Sequence, residues 1–326
     1  MRRHGIISLG VPVFAAAVLG AWVIAPGVSP AESAPVGRAS GCESSAVPGI
    51  STQTIDVQGV ARQYRVAVPE PGSGKGLRPL ILNFHGAGRD DATQANYSEL
   101  EEKGSARGFV VITPNAGSPA FWIAPTPDLS PEPINDNLAF TTALVDTAAA
   151  ELCIDPRRVY VTGFSSGAGM SAYLGCKLSR QIAAIAPVAG VNLVASCPHG
   201  KPISVVAFHG TADPEVAYEG GSGTYVCCPN IDQLSVEAAV RAWAQRAECR
   251  TKPARKSIGT DVERIAYRGC GSSTGVVLYK VANGAHNWPG SFELDDLGLP
   301  TQDINAADLI LDFFSQHPPP AKNAKA

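Results

Sequence analysis

The sequence predicts an α/β protein, with a mostly parallel central sheet and helices on both faces. Three observations carry that prediction. From Thr54 onward, short runs rich in β-branched residues alternate with longer helical patterns. Most of those runs are apolar enough to be buried on both faces, as strands of a covered parallel sheet are. The 326 residues, 45% hydrophobic and 17% charged, suffice for one large core, and no internal repeat or Ser/Pro/Gly linker divides them.

The opening pair, Thr54 to Gln58 and Arg62 to Val68, alternates around Gly59 and reads as an antiparallel start to the sheet. The expected buried strands follow: Pro79 to Phe84, Phe109 to Thr113, Arg158 to Thr162, Ile182 to Pro187, Ile203 to Phe208 and Val276 to Val281. Helical patterns between and after them span Thr93 to Arg107, Asp136 to Leu152, Gly167 to Leu178, Ile231 to Ala247 and Asn305 to Gln316. Asp136 and Asp232 are expected as helix caps or first-turn acids.

The ends read differently. Arg2 and Arg3 precede an uncharged, mostly apolar stretch from Gly5 to Val28 that ends at Ser29, Pro30 and Ala31, the pattern of an export signal (1–31). The expectation is a secreted chain with a flexible segment over 32–48, one catalytic domain over 49–317 and a flexible tail over 318–326. Ala39-Ser40-Gly41-Cys42 resembles a lipoprotein cleavage site displaced from the apolar run, so lipid attachment at Cys42 is the alternative to free release. Eight cysteines, all downstream of the signal, fit disulfides in an oxidising compartment; the expected pairs are Cys249 with Cys270 and Cys176 with Cys197, while Cys227 and Cys228 stay unassigned. Zinc spacing is missing, no cofactor is expected, and a net charge of −3 without a basic, aromatic-interleaved cluster gives no support to a nucleic-acid partner. No stable membrane insertion is expected after signal cleavage.

The chemistry-bearing signal is Gly163-Phe164-Ser165-Ser166-Gly167, set directly between an expected strand and an expected helix. Glycines there allow a tight turn that lifts the serine hydroxyl above the sheet, while the next amide faces a developing oxyanion. Ser165 is the candidate nucleophile. A serine needs a base, and in folds with this turn the chain order is serine, acid, histidine. That order selects His286 in Gly284-Ala285-His286-Asn287-Trp288-Pro289-Gly290, just past the last strand. Asp213, after the strand ending at Phe208, is the candidate acid; Asp232 and Asp261 are weaker ones. His209 reads as structural, fastening the turn that presents Asp213. The loop Asn83-Phe84-His85-Gly86-Ala87-Gly88 occupies the place of a second oxyanion donor, so the amides of Ala87 and Ser166 are expected to form the pair. Trp122 and Trp288 are candidates for lining the acyl or aryl pocket.

With these motifs in order, from His85-Gly86 through Asp155 to Gly163, Ala183 to Gly190, His209 to Asp213 and Gly284 to Gly290, the chain resembles a secreted α/β-hydrolase group. It is the polyhydroxybutyrate-depolymerase-like and feruloyl-esterase-like group, also called carbohydrate esterase family one. The resemblance covers about Thr54 to Phe314 and implies the α/β-hydrolase fold, with Ser165, Asp213 and His286 as triad. It further implies hydrolysis, through an acyl-serine, of a short-chain polyester or oligoester or of a feruloylated or acetylated polysaccharide. A secreted acyltransferase of the same fold and an inactive hydrolase-like binding protein are the rival expectations.

Overall fold

In the computed structural model the described residues are 46–70, 76–118, 120–122, 131–194, 200–225, 228–250, 252–294 and 297–318. The chain divides into two units, Met1–Ser40 and Gly41–Ala326, and every described residue belongs to the second. The expected signal, Cys42 and most of the terminal segments therefore lie outside the described residues, as do Cys197 and Cys227.

A ten-stranded sheet organises the fold. Its parallel centre comprises β3 (Arg78–Phe84), β4 (Val110–Pro114), β5 (Ile154–Phe164), β6 (Ile182–Val188), β7 (Ser204–Gly210) and β12 (Val276–Val281), in the spatial order β4-β3-β5-β6-β7-β12. An antiparallel pair, β1 (Gly49–Val57) and β2 (Val60–Val68), extends it beyond β4. Beyond β12 lie β11 (Val262–Tyr267) and β10 (Ala254–Ile258), also antiparallel. The hairpin of β8 (Gly221–Tyr225) and β9 (Cys228–Gln233) stands apart from this sheet.

Side-chain alternation along the strands sorts the apolar residues to two cores. Leu80 and Leu82 pack with Phe140, Met170 and Val240 on one face, whereas Ile81 packs with Leu100, Tyr160 and Phe314 on the other. The first core is closed by α3 (Pro131–Glu151), α4 (Ser166–Lys177) and α5 (Val236–Arg246), the second by α1 (Asp91–Ser98), α2 (Leu100–Ala106) and α6 (Ala306–Gln316). The predicted fold class is therefore the observed one.

Four local expectations change. The pattern over Thr93 to Arg107 breaks at Glu99, whose left-handed backbone (φ 56°) ends α1 and starts α2. That turn leaves Tyr97 and Leu100 both in the second core. Asp136 sits inside α3, which begins at Pro131 because the first helical turn has no use for the missing proline N–H. There Asp136 accepts from Arg62 Nη1 at 2.9 Å. Asp232 caps no helix: it lies in β9, accepts from Ser222 Oγ at 2.6 Å, and leaves Ser235 to cap α5. Ile231 likewise belongs to β9 rather than to α5. The strands β10 and β11, at the flank beyond β12, escaped the sequence reading because charges such as Arg255, Lys256, Glu263 and Arg264 interrupt their apolar pattern.

The Cys249–Cys270 disulfide forms as expected, joining the end of α5 to the segment after β11. Cys153 and Cys176 are disulfide-bonded too. Among the described residues no helix is long and apolar enough to cross a membrane.

Candidate active site

Parallel strands end together, so the loops that follow them gather at one edge of the sheet. Register makes this explicit: Phe84 lies opposite Gly163, Phe164 opposite Val188, Val188 opposite Phe208, and Gly210 opposite Val281. The residues that follow these five strand ends include Ala87, Ser165, Asn192, Asp213 and His286. Except for Asn192, these are residues that the sequence singled out.

Ser165 occupies the turn between β5 and α4 with φ 55° and ψ −119°, a conformation that costs a non-glycine residue about 1–3 kcal/mol. Its surroundings hold it there. The Ser165 amide donates to the Val188 carbonyl (3.0 Å), tying the turn to the end of β6. A Cβ on Gly163 would stand 2.5 Å from the Gly167 carbonyl oxygen, and one on Gly167 would stand 2.6 Å from that of His85. Both glycines of the motif are thus required by backbone approaching backbone.

The loop after β3 presses against this turn. A Cβ on Gly86 would lie 3.0 Å from the Phe164 ring and 3.4 Å from Ser165 Cβ. His85, fully buried, fixes the loop's shape: Nδ1 donates to the Gly86 carbonyl (2.7 Å) and Nε2 accepts from the Ala116 amide (3.0 Å). Burial depresses its pKa against the opposing pull of the Gly86 carbonyl, consistent with the neutral ring those two bonds demand. Among the described residues neither the Ala87 amide nor the Ser166 amide has an acceptor. Two unsatisfied donors therefore stand on adjoining segments beside Ser165.

Asp213 and His286 meet because the ends of β7 and β12 are laced together. Thr211 and Ala212 amides donate to the carbonyls of Val281 (2.8 Å) and Gly284 (2.9 Å), and Gly210 leaves no room for a side chain against Gly284. Asp213 Oδ2 accepts from His286 Nδ1 at 2.8 Å. The same oxygen lies 3.2 Å from His209 Nε2, while Oδ1 accepts the amides of Glu215 (2.9 Å) and Val216 (2.8 Å). Burial by itself would raise the Asp213 pKa, but the hydrogen bonds from His209 and His286 outweigh it and hold the carboxyl well below the usual carboxylate range. With Nδ1 committed to Asp213, Nε2 is the ring nitrogen of His286 left to accept a proton. The His286 ring lies 4.8 Å from that of Phe164, the residue before Ser165.

His209 does more than fasten its turn. Its Nε2–H is shared between the Val216 carbonyl (2.9 Å) and the Asp213 carboxylate, a contact that strand spacing alone does not reveal. Trp122 and Trp288 are both buried in the cores. Trp122 packs against Phe84 (4.8 Å) and His85 (5.2 Å) beneath the β3 loop. The Trp288 amide donates to the Tyr97 hydroxyl (2.8 Å), which burial pushes up to about 12 and so keeps neutral. Tyr97, unmarked in the sequence, also accepts from Ser291 Oγ at its carbonyl (2.7 Å) and so anchors the loop that follows His286.

Comparison with known proteins adds kinship to this geometry. A family model described as phospholipase/carboxylesterase matches residues 123–237, a span that holds Ser165 and Asp213. “Feruloyl esterase B” of Piromyces equi is 28% identical over 234 residues, covering 69% of this chain and 42% of that protein. Among solved structures, an acetyl xylan esterase from Aspergillus awamori shares the fold with a TM-score of 0.55 at 14% identity, over 82% of this chain and 99% of that one. “Putative esterase NocK” of Nocardia uniformis subsp. tsuyamanensis is 31% identical over 344 aligned residues, spanning 96% of this chain and 98% of the relative. On a likeness of that length, joined to the observed fold, the chain belongs to the esterase family of α/β hydrolases that includes the Nocardia protein.

Proposed function

We propose that the chain is a serine carboxylesterase in which Ser165 is the nucleophile, His286 the general base and Asp213 the acid that orients it. The observation that carries this reading is the 2.8 Å bond from His286 Nδ1 to Asp213, made at the sheet edge where Ser165 is raised on its strained turn. His286 Nε2 takes the Ser165 proton as Oγ attacks the ester carbonyl carbon, and the carbonyl electron pair moves onto oxygen. The amides of Ala87 and Ser166 stabilise that oxyanion, each worth about 3 kcal/mol in the transition state. Collapse expels the alcohol with the proton from His286. Water, deprotonated by the same nitrogen, then releases the acid and regenerates Ser165.

Likeness to a feruloyl esterase and the sequence pattern support, as the substrate we propose, an acylated polysaccharide carrying feruloyl or acetyl esters, or a short hydroxyalkanoate oligoester. The sequence pattern expected of an export signal over 1–31 and the Cys249–Cys270 disulfide support action outside the cytoplasm. Hydrolysis of p-nitrophenyl butyrate by the oxidised protein, beside Ser165→Ala, tests the chemistry. Turnover by the wild type and none by the folded variant is the expected result; equal rates overturn the assignment.

A further inference from the structure

The loop that follows His286 is tied down unevenly. Most hydrogen bonds of residues 287–291 stay within the loop or run to the segment after it. The Asn287 amide donates to the Ala285 carbonyl (3.1 Å) and the Ser291 amide to that of Trp288 (3.2 Å). Asn287 Nδ2 donates to the carbonyls of Gly298 (3.5 Å) and Leu299 (3.3 Å), and the Gly290 amide to that of Thr301 (2.8 Å). The carbonyls of Pro289, Gly290 and Ser291 accept from Ala306, Asn305 and Gln302. Among the described residues only two bonds of this loop cross to the chain that precedes Ser165, and both end on Tyr97. Its hydroxyl accepts the Trp288 N–H (2.8 Å) and its carbonyl accepts from Ser291 Oγ (2.7 Å).

Tyr97 is itself fixed. It lies in α1, and buried amides fasten that helix to the end of β3: Gln94 Nε2 donates to Asn83 Oδ1 (2.8 Å), and Asn83 Nδ2 donates to Ser98 Oγ (2.9 Å). The Tyr97 ring stands edge-on to Phe164 (5.4 Å), the residue before Ser165, and the Phe164 ring lies 4.8 Å from that of His286. The contacts form a closed circuit, from Tyr97 to Phe164, from Phe164 to His286, and from Trp288, two residues on, back to Tyr97. A buried phenol is less favourable than phenylalanine unless its oxygen is bonded. The bond that retains this one is the N–H it accepts from Trp288.

We infer that Tyr97 is a positioning residue for the proton transfer from Ser165 to His286: its ring backs the nucleophile's turn, and its hydroxyl holds the base loop at a fixed distance from that turn. This rests on the serine-esterase reading above. Tyr97 exchanges no proton and forms no bond with the ester; the proton passes from Ser165 Oγ to His286 Nε2. That transfer needs the two atoms within about 2.6–3.2 Å, and a 1 Å misplacement caused far from the chemistry costs about 10²-fold. The distance matters in the transition state and not in holding the ester, so its loss falls on kcat rather than on KM.

The test compares wild type, Tyr97→Phe and Ser204→Ala, with Ser165→Ala as background, in p-nitrophenyl butyrate hydrolysis, in labelling rate by a fluorophosphonate, and in thermal midpoint. Tyr97→Phe keeps the ring and strands the Trp288 amide. Ser204→Ala strands the Gly275 amide in the same way, at the opposite edge of the sheet. Both should lower the midpoint, but only Tyr97→Phe should lower kcat, by about ten-fold with KM unchanged and labelling slowed to match. Should Tyr97→Phe fail to fold, Ser291→Ala, which removes the other bond between this loop and Tyr97, takes its place with an expected loss of about three-fold. An active wild type whose kcat survives the substitution overturns this inference alone. So does an equal loss of kcat in Ser204→Ala, which marks general softening, or a raised KM at unchanged kcat, which marks contact with the ester. An inert, folded wild type overturns the serine-esterase reading and this inference with it.

Discussion

At the scale of single residues, Asp213 concentrates the site's electrostatics. Four donors converge on one buried carboxylate: two backbone amides on Oδ1 and two imidazoles on Oδ2. Asparagine keeps the size but presents an N–H where an acceptor is needed, so Asp213→Asn loses about 10³–10⁴-fold in kcat and retains a small residual activity. Steady-state kinetics at neutral pH measures this directly. The depressed pKa also has a consequence for stability. A carboxyl whose folded pKa lies below its unfolded value of about 3.9 contributes stability that is fully present above that value and is lost as pH falls through the folded one. Thermal midpoints taken from pH 6 down toward pH 2 should therefore fall more steeply for the wild type than for Asp213→Asn. His209 is the quieter partner. His209→Leu removes a donor from Asp213 and strands the Val216 carbonyl, so stability should drop by about 1–3 kcal/mol in urea unfolding.

At the scale of elements, the turn from β5 to α4 shows how a five-residue motif becomes geometry. Gly163 and Gly167 are fixed by backbone atoms of neighbouring segments, which cannot rotate away as a side chain can. Gly163→Ala should destabilise by about 3 kcal/mol, at the upper end of ordinary overpacking. Gly108→Ala is the control: its φ is +82°, but nothing lies within 4 Å of the added methyl, so the cost reduces to backbone strain of about 1 kcal/mol. Equal losses in the two variants would show that the close approach at Gly163 has been overstated. The same close packing explains why Ser165 tolerates its left-handed backbone: the Val188 carbonyl and the start of α4 leave the residue no other path.

At the scale of the molecule, the sheet separates support from chemistry. The edge pair β10–β11 and the Cys249–Cys270 disulfide hold the flank that carries β12, and the disulfide itself touches none of the residues proposed to react. Closing a loop with a sequence separation of 21 is worth about 3 kcal/mol in the chain-entropy account. Cys249→Ser/Cys270→Ser should lower stability by roughly that amount while leaving kcat at low temperature unchanged. A large fall in kcat without unfolding would mean that the flank positions His286 through β12.

The sequence by itself determined the α/β class, the parallel centre and the strand–turn–helix around Ser165, because strand burial and glycine placement are local properties that a linear pattern records. It also pointed to His286 and Asp213 through chain order. Only the tertiary structure decided what those residues touch. Phe164 against His286, Tyr97 under Trp288, and His209 on the same oxygen as His286 all depend on which strand ends lie side by side. The break at Glu99, the β8–β9 hairpin and the charged edge strands were illegible for the same reason. In each, packing or solvent on one face overrode the local pattern, and that information resides in neighbours distant along the chain.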